Sequence, residues 1–172
     1  MVDLVFNPNG RIGRNRFWQG MVILTVASVL VVAGNTMVHP AVGLVNLLLI
    51  YPYICVYGKR LHDVGTTAWW VIAIWLASMV VSFVFGLIFG PMFMTPEMLD
   101  IQEEMAERMA SGDFAGFFEG AEILADKMLP LNILATIGTN LVLAAVIGLL
   151  PTQQHENKHG PVPGSSAGDT FG

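Results

Sequence analysis

Three stretches of this chain contain no aspartate, glutamate, lysine or arginine. They run from Phe17 to Gly58, from Val64 to Pro96 and from Met128 to His155, or 42, 33 and 28 residues. A helix needs about 20 predominantly apolar residues to cross the hydrocarbon core of a bilayer. Each stretch exceeds that length, and 172 residues are too few to bury all three inside a soluble core. Charged residues are 12% of the chain, half of the roughly 25% usual in soluble domains. These features describe an all-α integral membrane protein of one small domain.

The first run is too long for a single crossing. Gly34-Asn35-Thr36-Met37-Val38-His39-Pro40 is polar and proline-punctuated, a turn that divides it. The expected fold is a four-transmembrane-helix bundle, with helices at about 16–34, 41–57, 68–90 and 129–150 and a kink in the second near Pro52. Arg11, Arg14 and Arg16 ahead of an apolar run have the outline of a signal peptide. However, the apolar run from Phe17 to Ala33 is 17 residues, beyond the about 7–15 of a signal core, and further spans follow. It is read as an uncleaved first helix. Cys55, the single cysteine, lies within an apolar run and is read as an inert buried thiol.

Basic residues set the expected orientation. Arg11, Arg14 and Arg16 precede the first helix, Lys59 and Arg60 follow the second, and Lys158 follows the fourth. With four crossings these six share one side, whereas only Arg108 and Lys127 fall on the other. The positive-inside rule then puts both termini in the cytoplasm.

Nine of the thirteen acids lie between Glu97 and Asp126, in an extracytoplasmic segment spanning 95–127. Thr95-Pro96-Glu97 has the form of an N-cap, a first-turn proline and a dipole-facing acid. Met98, Ile101, Met105 and Met109 follow at helical spacing. Ser111-Gly112-Asp113 reads as a break and a new cap, and Phe114, Phe117, Phe118, Ala121 and Leu124 form a second stripe. Two short amphipathic helices between the third and fourth spans are expected, lying on the membrane or folded over the bundle. Residues 156–172 read as a flexible cytoplasmic tail, disordered from about Gly164 onward.

Two blocks concentrate the chemistry: Asn9-Gly10-Arg11-Ile12-Gly13-Arg14-Asn15-Arg16-Phe17-Trp18 and Gly58-Lys59-Arg60-Leu61-His62-Asp63-Val64-Gly65-Thr66-Thr67-Ala68-Trp69-Trp70. A weaker third is Glu156-Asn157-Lys158-His159-Gly160-Pro161-Val162-Pro163. Together, and in this order, they resemble the bacterial inner-membrane family called domain of unknown function 805. Thr67-Ala68 stand where that family usually has Ser-Gly, and His159 where it has Tyr. The resemblance implies a small four-helix inner-membrane protein and brings no established activity with it.

By this topology Arg11, Arg14, Arg16, Lys59, Arg60, His62 and Asp63 gather at one membrane face, beside Trp18, Trp69 and Trp70. Three readings stay open. The bases set topology and the tryptophans anchor helix ends. Asp63 pairs with Arg14 or Arg16 and locks two elements together, the leading reading, since an aspartate among arginines finds a partner. The arginines hold a lipid phosphate through paired hydrogen bonds. Enzymatic use of His62-Asp63 is disfavoured, because adjacent residues on a helix point about 100° apart and no nucleophile has a fixed place beside them. His62, Asp63, His155 and His159 do not make a convincing metal set, and methionines from Met92 to Met109 fit packing better than copper.

The third helix repeats Ser78, Ser82, Gly86 and Gly90 at four-residue spacing, a ridge that lets another helix approach, with Ala144 and Gly148 on the fourth as a matching surface. Asn46, Asn132 and Asn140 should hydrogen-bond across the bundle. The function expected is non-enzymatic: a basic and aromatic cytoplasmic-face site for anionic lipid headgroups or a partner protein. An oligomeric transporter or channel subunit is the alternative, and a lipid-headgroup enzyme the third. Membrane lipids, anionic phospholipid among them, and further copies of the chain are the expected partners; no cofactor, metal or nucleic acid is expected.

Overall fold

The computed structural model describes residues 2–164; the end of the tail lies outside the described residues. Among these the protein is all-helical, with seven α-helices. Four are long and apolar enough to cross a membrane, which makes this a multi-pass membrane protein. A short α1, Val2–Phe6, precedes the first span, α2, Arg14–Met37. The expected turn follows as a 3-10 segment, Pro40–Leu44, opened by His39, whose Nδ1 accepts from the Ala41 amide at 3.1 Å. The second span is α3, Val45–Val64, and the third is α4, Trp70–Phe93. Two shorter helices, α5, Pro96–Ser111, and α6, Phe114–Lys127, lead to the fourth span, α7, Leu129–Gly148.

The amphipathic pair forms for the reasons its sequence gives. Thr95 Oγ1 accepts from the Met98 amide at 3.3 Å with Pro96 in the first turn of α5, and Gly112 ends the helix in the left-handed region at φ +80°. Asp113 then caps α6, accepting from the Gly116 amide at 3.0 Å. Arg108 draws the pair together, at 2.6 Å from Glu104 and 3.6 Å from Glu119.

Two elements differ from expectation. The helix α1 carries no periodic signal of its own and was not foreseen. The second span does not stop near Tyr57 but continues to Val64, so Lys59, Arg60 and Asp63 sit on its last two turns and not in a loop. All three are buried, at 4%, 0% and 0% exposure. The helix survives these charges because neighbouring segments supply partners for each of them. Gly65, at φ +89°, terminates it.

The last span is the centre of the bundle, packed on both α2 and α4, while α2 also packs on α3. The tightest core lies toward the charged end, where Phe17, Met21, Val56, Tyr57, Leu61, Ala144 and Ile147 meet. By contrast α4 buries only Ile74 and Gly90 and is apolar all round, the pattern of a helix facing lipid.

Close helix approach occurs at small residues, but not along the ridge expected on α4. Ser82 Oγ does reach Thr139 Oγ1 on α7 at 3.0 Å. Ser78 instead bonds the Trp75 carbonyl of its own helix at 2.6 Å. Nothing stands within 4 Å of a Cβ placed at Gly86 or Gly90. Gly148, expected to match that ridge, lies under Phe17 and Trp18 of α2. The reason is that α7 meets α4 through Gly138, which sits beneath the Phe85 ring, one face away. Asn140 bonds across the bundle as expected, donating to Tyr53 Oη at 2.8 Å.

A close backbone approach against a β-branched side chain occurs at Gly20, where a Cβ would stand 2.9 Å from Val56 Cγ1. Val56 is wholly buried and β-branched, so it cannot swing aside. Gly20→Leu therefore costs about 1–3 kcal/mol by overpacking, seen as a lower melting temperature in detergent, whereas Gly86→Leu leaves the melting temperature of the monomer unchanged.

Candidate functional site

The residues before the first span do not begin a helix. Gly13 is extended (φ −70°, ψ 172°), and the Ile12 amide donates to the Lys59 carbonyl at 3.4 Å. This lays Gly10 to Gly13 across the end of α3. Lys59 Nζ reaches the other way and donates to the carbonyls of Asp3 and Leu4 at 2.8 and 2.7 Å. It thereby satisfies the Leu4 carbonyl, which so short a helix as α1 leaves open, and adds a second bond to the Asp3 carbonyl, which also accepts from the Asn7 amide. Tyr51 Oη adds a bond to the Phe6 carbonyl at 3.1 Å.

Asp63 is the hub. Its Oδ1 accepts from Arg11 Nη2 and Nε at 3.1 and 3.3 Å. Its Oδ2 accepts from Arg60 Nη1, one helical turn earlier, and from Thr152 Oγ1 at 2.8 Å. The side chains of Asp63, Arg60 and Arg11 are 0%, 0% and 1% exposed. One carboxylate thus serves two buried guanidinium groups, and the surplus positive charge is met by carbonyl dipoles. Arg60 Nη2 donates to the carbonyls of Gly148, at 3.0 Å, and Leu150, where α7 ends. Arg11 donates to the carbonyls of Gln153, His155 and Gly160 at 2.6, 2.9 and 3.3 Å. A cation is favoured at the negative end of a helix dipole, and Arg60 occupies that position on α7.

The segment after α7, part of which the sequence suggested was flexible, is bound into this site. The Gln153 amide donates to the Asp63 carbonyl at 2.9 Å. Asn157 Nδ2 donates to the His62 carbonyl at 3.1 Å and to Gln153 Oε1 at 2.8 Å. Asn157 to Gly160 form a tight turn in which the two residues exchange backbone hydrogen bonds. The His159 ring stacks on His62, centroids 3.7 Å apart and planes 6° from parallel, while His62 Nδ1 bonds the Gly10 carbonyl at 3.1 Å. Burial holds the His159 imidazole below its ordinary value, and the adjacent His62 and Lys158 push the same way.

The arginine that locks Asp63 is thus Arg11, with Arg60, and neither Arg14 nor Arg16. Arg14 lies on the first turn of α2, exposed, and commits only Nη2, to the carbonyls of Leu149 and Leu150 at 3.1 and 3.3 Å. Arg16 is half-buried on the same turn. Trp18 packs edge-on to Phe17, with ring centroids 6.2 Å apart. Trp69 and Trp70 are 78% and 59% exposed. Thr152, Gln153 and Asn157 belong to the site and were not singled out as site residues; Asn157 had a signal in the third sequence block, whereas Thr152 and Gln153 precede that block and had none. The His62 ring is committed to a backbone carbonyl and a stacked partner, and no group of three or more potential metal ligands occurs among the described residues.

Asp63→Asn strands two buried arginines, a loss of about 3–5 kcal/mol when one partner of a buried pair is removed. Arg11→Gln in that background adds little, whereas Arg14→Gln adds its own effect in full, in a double-mutant cycle of detergent melting temperatures. The histidine stack is pH-dependent. Because the folded state favours neutral His159, its contribution is complete above the ordinary imidazole value of 6.5 and is lost as pH falls below it. Hydrogen exchange at Asn157 to Gly160, corrected for intrinsic rates, accelerates between about pH 7.5 and about pH 5, and His159→Phe flattens that rise.

No curated protein and no solved structure matches the chain. A family model described as "Protein of unknown function (DUF805)" matches residues 5–161. The match runs from α1 through all four spans to the turn that closes over His62. This chain belongs to the DUF805 family.

Proposed function

We propose that the protein is a non-enzymatic protein of the bacterial inner membrane whose clamped rim engages anionic lipid headgroups at the cytoplasmic leaflet. The observation that carries this reading is the unequal use of the arginines. Arg11 and Arg60 spend their donors on Asp63 and on backbone carbonyls. Arg14 remains exposed, and its Nε and Nη1 have no partner among the described residues. Lys158 is exposed on the same rim. The uncommitted Nε–H and Nη1–H of an exposed guanidinium can each donate to a phosphate oxygen. Trp69 and Trp70, exposed at the start of α4, suit the headgroup level of a bilayer. The cytoplasmic placement rests on the basic residues that flank the spans on this side.

The acid–base alternative has less support, since a His62 imidazole held by Gly10 and His159 has no nucleophile to activate. The test is lipid retention. Arg14→Gln combined with Lys158→Gln lowers the anionic phospholipid that copurifies in mild detergent, by about 1 kcal/mol per charge removed, with the melting temperature lowered only by the lost Arg14 bonds to Leu149 and Leu150. Retention equal to that of the parent chain refutes the headgroup reading and leaves the rim a purely structural clamp.

A further inference from the structure

A chamber of about 940 Å³ opens within the membrane-spanning part, between α3 and α4, with walls from all four spans. That volume is at the upper end of the about 300–1,000 Å³ typical of small-molecule sites. No aspartate, glutamate, lysine or arginine lines it. It is not simply greasy, however. Ser28 Oγ and Tyr53 Oη stand 3.0 Å apart, and Asn140 Nδ2 donates to the same phenol at 2.8 Å, so α2, α3 and α7 are joined through one tyrosine at the chamber wall. Ser82 and Thr139 form a second polar pair on the wall, 3.0 Å apart. Tyr57, also on the wall, stacks on Tyr53 with ring centroids 6.2 Å apart. It is 3% exposed, and its hydroxyl, which has no hydrogen-bond partner among the described residues, is shielded from the open space.

Asn140 spends one Nδ2 hydrogen on Tyr53, and no described residue takes the other or bonds its Oδ1, so the wall keeps donor and acceptor capacity that a saturated acyl chain cannot meet. A partner helix offers little more, because its backbone groups are already bonded within it. A phospholipid head would bring a phosphate into a chamber with no cation to receive it. What fits is a molecule with an apolar tail and an uncharged head that carries oxygen. We propose that this chamber binds an uncharged lipid through its hydroxyl or carbonyl head, with Tyr53, Asn140 and Ser28 recognising the oxygen and Trp69, Ile72 and Trp75 flanking the tail. The sparse contact between α3 and α4 gives it a lateral way in from the bilayer. This site shares Trp69 with the anionic-headgroup rim but uses different polar groups, and it does not depend on the headgroup reading.

Two membrane lipids share this chemistry, a diacylglycerol and an isoprenoid quinone, and the experiment separates them. The full chain in nanodiscs of phosphatidylcholine is titrated with diacylglycerol in one arm and ubiquinone in the other, following tryptophan fluorescence, since Trp69 and Trp75 line the chamber. Saturable change in one arm supports the site and identifies which lipid it takes. Tyr53→Phe, which keeps the ring and removes the hydroxyl, weakens that binding about fivefold to tenfold. Ser78→Trp, which narrows the chamber and spares Tyr53, Asn140 and Ser28, also weakens it. Tyr51→Phe removes a hydroxyl outside the chamber and leaves affinity unchanged. Melting temperatures identify any variant that misfolds, and Ser28→Ala is then the substitute. The proposal is overturned by a non-saturable response in both arms, by equal competition from phosphatidylglycerol, or by full affinity in folded Tyr53→Phe and Ser78→Trp. Concentration-dependent dimers that crosslink through a probe at Trp75 also overturn it, since a second copy would then occupy the space.

Discussion

A carboxylate placed at full burial between two guanidinium groups sets the terms for everything at the charged end of this molecule. Taking one ion out of water costs several kcal/mol even after relaxation. Asp63, Arg60 and Arg11 recover that cost only if every lone pair and nearly every donor finds a partner. Asp63 uses both oxygens twice. Arg60 leaves only Nε unpaired. Because the group carries one more positive charge than negative, it also needs the carbonyl ends of other segments. That is why the extended residues before α2, the last turns of α3 and the chain after α7 converge at this point.

Much of this architecture is legible in the residue order, and the failures have physical causes. Charge-free runs locate the four spans because no other structure can place so many uncharged residues in one piece. Thr95 and Asp113 announce α5 and α6 because capping is a local interaction. The end of the second span misleads, since Lys59, Arg60 and Asp63 resemble an exit into water. They are helical because, beyond the Arg60–Asp63 pair one turn apart, Arg11, Thr152 and carbonyls distant in sequence complete their bonding, and no local rule records those partners. The choice of Arg11 over Arg14 turns on backbone conformation. An extended Gly13 carries Arg11 across α3, while Arg14 and Arg16 are carried off along α2. The four-residue repeat on α4 invited a packing interpretation, yet a repeat says only that a surface is smooth. The contact went to Gly138, a single glycine with no pattern around it.

The molecule also separates two kinds of polarity. At the rim, charges are paired and shielded, and the cation with donors to spare lies at the surface. Within the spans, polarity is neutral and held by hydroxyls and amides, among them Ser28, Tyr53, Asn140, Ser82 and Thr139. Charges deep in a bilayer carry a penalty of a few kcal/mol each, whereas hydroxyls and amides can be satisfied by one another. A ligand recognised inside the spans and one recognised at the rim must therefore differ in charge, whatever their tails have in common.

The central position of α7 has a consequence for how the protein is made. The ribosome delivers this helix last among the spans, yet α2 and α4 both pack against it, and α4 has no comparable contact elsewhere. The first three spans can enter the bilayer one by one, but they cannot close into a bundle without the fourth. Until residues 148–153 exist, Arg60 lacks the carbonyls of Gly148 and Leu150, and Asp63 lacks Thr152. During synthesis the end of α3 is therefore a polar seam that lacks these partners. Truncation anywhere before that point leaves the seam permanently exposed, so a nascent chain carries its own signal of incompleteness until the final helix arrives.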